Sequence, residues 1–239
     1  MTKKIINQKD ILNKMLINTV EPKFNFSENP INRFTIVQNI ENNNMSNKTR
    51  LLEELKNRLN SIENCNLKNN SKNIVIGEGN INSPIMIVGE APGEEEDKSA
   101  MMFQGEIGNL LNKMLLAIDI KKENTYCTYC VNFRPPEDRK PTSQEIKRYS
   151  VFLKEHIYII NPKIVILMGS SAMEAVTGDN GKISSERGKW KEVIIKNITY
   201  PVIVSFNPSY LMRFPENKKF SWEDLKKIRQ KIKDLNIKI

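Results

Sequence analysis

The sequence predicts a three-layer α/β/α fold with a central, mainly parallel twisted sheet, preceded by a helical N-terminal extension. Two observations lead to this prediction. From residue 74 onward, short apolar runs alternate with amphipathic segments, which is the pattern of βαβ units whose sheet is covered by helices on both faces. The first 80 residues or so are instead dominated by Asn, Lys, Glu and Ile.

The predicted strands and helices follow one another in a regular order. Five apolar runs have the length of strands: residues 85–88, 126–131, 164–168, 193–198 and 202–206. Four segments have apolar residues at helical spacing: residues 107–118, 143–157, 170–176 and 222–233. No internal repeat is evident in the sequence.

Residues 1–60 are predicted to form an N-terminal helical extension with a linker, and residues 61–239 the α/β domain. Helical periodicity occurs near Ile11 and again through residues 51–59. Between them, residues 41–48 are rich in Asn and other polar side chains, so we expect a flexible linker there.

The composition restricts the partners and the compartment. The chain has 37 Lys and Arg against 28 Asp and Glu, a formal net charge of +9. This balance favours a polyanion such as nucleic acid, although a solvated Lys-rich surface would give the same count. The few cysteines favour a reducing compartment, and no apolar run approaches the roughly 18 residues of a membrane-spanning helix. We therefore expect a cytoplasmic protein without membrane contact. We also expect a monomer.

Ligands of parallel sheets bind at the carboxyl ends of the strands, so the loops after Val88, Val131, Met168 and Phe206 are expected to converge on one crevice. The first loop, residues 89–97, is rich in Gly, Pro and acidic side chains and can offer backbone N–H groups and carboxylates to a ligand. The sequence contains neither a dinucleotide fingerprint nor a phosphate-binding P-loop. A nucleotide cofactor is therefore disfavoured.

Aromatic and basic side chains accompany these loops. Phe103 precedes two glycines and a predicted helix start, where its ring could stack on a planar base; a core position is the alternative. Two further loops carry candidate phosphate contacts. These candidates are Arg134, Arg139, Ser209 and Arg213.

The order of the motifs resembles the family 4 uracil-DNA glycosylases of bacteria and archaea, which usually carry an iron–sulfur cluster. The resemblance covers about residues 62–233. The matching segments, in family order, are residues 77–80, 89–97, 103–108, 134–136, 162–165, 187–188 and 208–213. Each segment alone is weak evidence for this family, but the ordered set is specific to it.

The resemblance implies a hydrolase that flips a deoxyuridine out of DNA, cleaves its glycosidic bond and so initiates base excision repair. By position, Glu90 would place the attacking water, Phe103 would stack on the base, and Asn207 would face the leaving base anion. Other residues would line the base: Gly89, Ala91, Pro92, Gly93 and Tyr129.

Two site residues depart from the family pattern. Tyr129 stands where the family usually has an Asn that reads the uracil edge, and one phenol hydroxyl cannot reproduce both contacts of an amide. Asn207 stands where the family usually has a His, and a neutral amide stabilises an anion less than a charged donor. The nearby Asn132 is expected to face away from the base, and His156 is expected to be structural.

The resemblance places four cluster cysteines at positions of which only Cys65 is a cysteine here. The other three positions hold Ile62, Phe133 and Tyr149. We therefore expect that the iron–sulfur cluster has been lost and its volume refilled as ordinary core. Cys127 and Cys130 are predicted to point to opposite faces of a strand, which disfavours a shared metal there.

Three functions are compatible with these features. The first is a DNA glycosylase acting on uracil, or on a related deaminated or mismatched base. The second is a catalytically weak or inactive relative that binds DNA or a protein partner, which the residues at positions 129 and 207 motivate. The third, a nucleoside-binding sensor, is disfavoured by the basic balance and the arginine-containing loops.

Overall fold

The computed structural model describes residues 33–238, with side chains from residue 47 onward. Its centre is a mixed sheet with the strand order β1-β3-β2-β4-β6-β5. The strands are β1 (Gly77–Gly79), β2 (Ile85–Gly89), β3 (Tyr126–Tyr129), β4 (Ile164–Met168), β5 (Trp190–Ile195) and β6 (Ile198–Ser205). The four central strands are parallel, and the two edge strands pair antiparallel with their neighbours.

Helices surround this sheet. They are α1 (Arg33–Asn60), α2 (Asn66–Asn70), α3 (Glu94–Ser99), α4 (Gly105–Leu116), α5 (Ser143–Ile160), α6 (Ser170–Thr177), α7 (Ile183–Glu186), α8 (Pro208–Arg213) and α9 (Lys218–Asp234). Short 3-10 turns occupy Lys122–Asn124, Pro136–Asp138 and Pro215–Asn217. No helix in residues 33–238 is long and apolar enough to cross a membrane.

Two hydrophobic clusters lie on opposite faces of the sheet. In β2, Met86 and Val88 belong to one cluster, with α5 and α6, whereas Ile85 and Ile87 belong to the other, with α4 and α9. This division follows from the alternation of side chains along a strand. The predicted three-layer α/β/α fold with a mainly parallel sheet is therefore confirmed.

The prediction of a flexible linker at residues 41–48 is wrong, because the backbone there is part of the continuous helix α1. Its C-terminal half is amphipathic, with Leu55 and Leu59 buried in the core, and such packing extends a helix into polar sequence of low propensity. Residues 44–238 belong to one compact unit. The periodicity near Ile11 lies outside the described residues.

A second difference concerns the strand predicted at residues 193–198. β5 ends at Ile195, and Lys196 and Asn197 turn the chain with φ angles of 47° and 67° before β6 begins. Two consecutive residues with positive φ are typical of the tight turns that join antiparallel strands. The prediction missed this turn because a lysine at its first position is not a turn signal.

The topology places a crevice between β2 and β4. The connection leaving β2 leads to β3 on one side of it, whereas the connection leaving β4 leads to β5 and then β6 on the other side. At such a switch point the loops diverge and leave room for a ligand beyond the carboxyl ends of the strands.

Candidate active site

A cleft of about 950 Å³ opens at the carboxyl ends of the central strands. The loops that follow β2, β3 and β6 meet in its wall. Of the twelve predicted site residues, ten line it: Glu90, Ala91, Pro92, Gly93, Phe103, Tyr129, Arg139, Asn207, Ser209 and Arg213.

The remaining two predicted residues, Gly89 and Arg134, do not line the cleft. Gly89 is buried beneath it, and a Cβ built there would come within 2.8 Å of the rings of both Tyr129 and Phe103. Arg134 donates to both carboxylate oxygens of Asp138, at 2.7 and 3.1 Å, and lies 3.6 Å from Glu94. Gly89 therefore has a packing role, and Arg134 is already paired with carboxylates of the protein.

Glu90 and Asn207 flank the same small space beside Gly169, the first residue after β4. A Cβ built on Gly169 would lie 3.5 Å from Glu90 Oε2 and 3.8 Å from Asn207 Nδ2. The backbone of Gly169 has a φ of +103°, a conformation that residues other than glycine rarely adopt. Sequence reasoning missed this residue, and its only signal was its place directly after a predicted strand.

The orientation of the Asn207 amide is determined by its role as the N-cap of α8. Its Oδ1 accepts from the Ser209 N–H and the Ser209 hydroxyl, both at 3.0 Å, as expected of an asparagine in this position. The Nδ2 group therefore faces the other way, where its one contact is a long 3.5 Å approach to the Met168 carbonyl. Asn207 thus has an N–H to offer a ligand.

The backbone of Glu90 is held from β3. Its carbonyl accepts from the Cys130 thiol at 2.9 Å and from the Val131 N–H at 3.3 Å, whereas no group within residues 47–238 donates to its carboxylate. Cys130 was considered only as a possible metal ligand, so its contact with Glu90 was also missed. The loop after β2 consequently presents a fixed backbone and an unpaired carboxylate.

Phe103 provides an aromatic wall. It is only 3% exposed, has a φ of +49°, and its ring lies 5.1 Å from that of Tyr129. A Cβ on Gly108 would lie 1.7 Å from the Phe103 carbonyl oxygen, so only glycine allows α4 to approach this closely. The Phe-x-Gly-x-x-Gly pattern therefore positions the ring at the cleft.

The hydroxyl of Tyr129 is engaged by the protein itself. It accepts from the Phe103 N–H at 3.1 Å. Glu96, buried and unnoticed in the sequence, accepts from the N–H groups of Gly93 and Gln104, at 2.9 and 2.8 Å. Burial, together with the charge of Glu96, raises the pKa of Tyr129 well above its usual value. Tyr129 therefore presents a ring to the cleft rather than a free hydroxyl.

The model of the uracil DNA glycosylase superfamily matches residues 76–229 of this chain. The chain belongs to the uracil DNA glycosylase superfamily. Three relatives are each named type-4 uracil-DNA glycosylase. The protein of Thermotoga maritima is 36% identical, over 79% of this chain and 98% of its own length. Those of Sulfurisphaera tokodaii and Archaeoglobus fulgidus are 35% and 30% identical, over 75% and 74% of this chain and 84% and 91% of their own lengths.

The arginines of the cleft differ in whether they are paired with a carboxylate of the protein. Arg139 donates to both carboxylate oxygens of Glu145, at 2.8 and 2.7 Å, and these bonds lower the pKa of Glu145 to about 2. Arg213 is exposed and has no hydrogen-bond or ion-pair partner among the described residues. Of the three predicted arginines, Arg213 is therefore the one most available to bind a phosphate.

The four positions expected to hold a cluster form a packed group. The Cys65 thiol and the Tyr149 hydroxyl are 3.1 Å apart, the rings of Tyr149 and Phe133 are 6.2 Å apart, and Ile62 packs against the same core. One thiol among these side chains does not fit the four thiolates of an iron–sulfur cluster. Residues 47–238 also contain no group of three His, Cys, Asp or Glu side chains arranged to hold a metal ion.

The remaining polar residues lie away from the cleft. Asn132 donates to the Val75 carbonyl at 2.9 Å, and His156 is buried against Tyr126. Cys127 and Cys130 belong to opposite hydrophobic clusters, as their spacing along the strand predicts. None of these residues takes part in lining the crevice.

Proposed function

We propose that this protein is a DNA glycosylase that hydrolyses the N-glycosidic bond of uracil, or of a related deaminated or mismatched base, and so initiates base excision repair. The observation that carries the proposal is the placement of the unpaired Glu90 carboxylate and the Asn207 amide N–H next to Gly169, at 3.5 and 3.8 Å from a Cβ built there. The relatives named type-4 uracil-DNA glycosylase support the same substrate.

The reaction requires the target nucleotide to leave the base stack and enter the cleft. There the base stacks on Phe103. Glu90 orients a water molecule towards C1′ of the deoxyribose and favours the positive charge that develops on the sugar. The oxygen of water bonds to C1′ as the C1′–N1 bond breaks, and the electron pair of that bond leaves with the base.

Negative charge on the departing base spreads to its O2, where Asn207 Nδ2 donates a hydrogen bond. Because the N-cap bonds to Ser209 fix the amide, this donor needs little reorganisation during the reaction. The proton released by water finally neutralises the base, and the products are the free base and an abasic site with a hydroxyl on C1′.

The direct test uses an oligonucleotide with one uracil, incubated with protein and then treated with hot alkali, which cuts the strand at abasic sites. Strand cleavage is expected for wild type and is lost in Glu90→Gln, which keeps the size of the side chain but removes its charge. Glu106→Gln, a change to an exposed carboxylate of the same cleft, is the matched control. Equal cleavage by Glu90→Gln and wild type would reject the role of Glu90.

A second candidate function is DNA binding with little or no catalysis, and the hydrogen bond from the Phe103 N–H to the Tyr129 hydroxyl favours it. A base in the cleft then meets no amide at position 129 that could read its edge. If wild type shifts intact DNA in a gel but releases no base at protein excess, this function replaces the first.

DNA is thus the proposed partner of a protein that works as a cytoplasmic monomer. We also propose that it works without an iron–sulfur cluster, because the side chains around Cys65 pack as core. Protein purified without oxygen should be colourless and contain no stoichiometric iron or sulfide. A visible absorption band with bound iron would contradict this part of the proposal.

A further inference from the structure

A second cleft, of about 580 Å³, lies beside the first. The two clefts share α8, since Ser209, Met212 and Arg213 line the first cleft whereas Tyr210 lines the second. The function proposed above makes no use of this second cleft.

The second cleft has aromatic walls. Phe206 and Tyr210 stack with their ring centroids 4.9 Å apart, and the hydroxyl of Tyr210 is held by a 3.1 Å hydrogen bond from Asn217. Phe220, also in the wall, is 41% exposed. Exposed aromatic rings are the surface on which unpaired nucleobases stack.

The charge of the second cleft is complementary to DNA. Its lining contains Lys182 and Arg187 but no carboxylate, whereas the first cleft contains several. The guanidinium of Arg187 lies 5.7 and 5.4 Å from the ring centroids of Phe206 and Phe220. Its Nε and Nη2 groups are bound to Asp224 and the Phe220 carbonyl, and its Nη1 group has no partner among the described residues.

We propose that the second cleft binds a nucleotide that flanks the target on the same DNA strand. Its base stacks on Phe220, and its phosphate meets Lys182 and Arg187. The inference rests on the proposed action on DNA. Because a helix such as α8 is about 10 Å across, and a stacked strand advances about 3.4 Å per nucleotide, the bound base lies within about three nucleotides of the target.

The test measures binding of single-stranded oligonucleotides that carry a tetrahydrofuran abasic analogue at the target position. A second abasic analogue is then placed at each of the flanking positions in turn. For wild type, removing the base at one position within about three nucleotides of the target should weaken binding about tenfold. Phe220→Leu should bind the intact oligonucleotide equally weakly and should no longer respond to that removal.

Trp222→Leu is the matched control, because Trp222 is an equally exposed aromatic residue of the same helix, α9, outside the cleft. It should behave as wild type. A second variant, Lys182→Gln, changes only an exposed side chain, and it should lower the salt dependence of binding by about one unit of slope. If Phe220→Leu does not fold, the salt dependence of Lys182→Gln decides whether the second cleft binds a nucleotide.

The outcomes separate the two proposals. If wild type excises uracil but no flanking base contributes to affinity, or if Phe220→Leu binds and responds as wild type does, the second cleft does not bind a nucleotide. If wild type neither binds nor cleaves DNA, the proposed function fails and this inference fails with it. Unchanged DNA binding in Phe220→Leu together with loss of binding to a protein would assign the cleft to a protein partner.

Discussion

The Cys130 thiol donates a hydrogen bond to the Glu90 backbone carbonyl across 2.9 Å. This bond ties the end of β3 to the residue whose carboxylate faces the cleft. Burial raises the pKa of the Cys130 thiol well above its usual value, so the thiol remains a donor at neutral pH.

Cys130→Ala should therefore lower kcat about tenfold, because small displacements of a reacting group reduce rates strongly, while KM changes little. Cys130→Ser retains a donor and should recover most of the rate. The measurement is steady-state uracil excision, with thermal unfolding followed in parallel. Equal losses in the alanine and serine variants would indicate a packing role instead of a positioning one.

Asn207→Asp separates the two roles of Asn207. Aspartate is as good an N-cap as asparagine, so α8 should remain capped and stability close to wild type. It removes the N–H donor and adds a negative charge near Glu90, so the rate of excision should fall about 100-fold or more. Single-turnover cleavage measures this effect, and Asn207→Ala, which loses both cap and donor, is the comparison. An active Asn207→Asp would show that the amide donor is not used.

Tyr129→Phe should destabilise the protein by about 1–3 kcal/mol, because the buried N–H of Phe103 loses its acceptor. Excision should stay within about threefold of wild type, since the hydroxyl is bonded to the Phe103 N–H and not to substrate. Urea unfolding and uracil cleavage test the two statements. Tyr149→Phe, which removes a buried hydroxyl bonded to Cys65 away from the cleft, is the control. A large loss of activity without loss of stability would mean that the Tyr129 hydroxyl contacts the base.

His156, the only histidine of the chain, should make stability depend on pH. Its Nε2 lies 2.8 Å from the Tyr126 hydroxyl, and burial lowers its pKa to about 4. Between this value and the ordinary pKa of 6.5, the unfolded chain binds a proton that the folded protein does not. Stability should therefore fall by about 3 kcal/mol as the pH drops from about 6.5 to 4.

Urea unfolding of wild type and His156→Phe across this range measures the effect. The variant should show a smaller slope between pH 6.5 and 5, above the range in which most carboxylates titrate. Identical slopes in the two proteins would exclude His156 as the cause.

The sequence predicted the layers and the central strands well, because buried parallel strands such as residues 164–168 are continuous apolar runs with clear ends. It also identified most residues of the cleft, since Glu90 and Asn207 come just after strands and Phe103 precedes two glycines at a helix start. It missed residues that act through contacts formed only on folding. Glu96 appeared to be one acid among four, and Gly169 has no side chain to attract notice.

Gly169 has a practical consequence. Gly169→Ala would place a methyl group in ordinary contact with Glu90 Oε2 and the Asn207 side chain, and the backbone strain of about 1–3 kcal/mol is less than the stability of a typical domain. Such a protein should fold and hold DNA while the space for the attacking water is filled. A glycosylase that captures its target base without releasing it would serve as an affinity reagent for locating that base in genomic DNA.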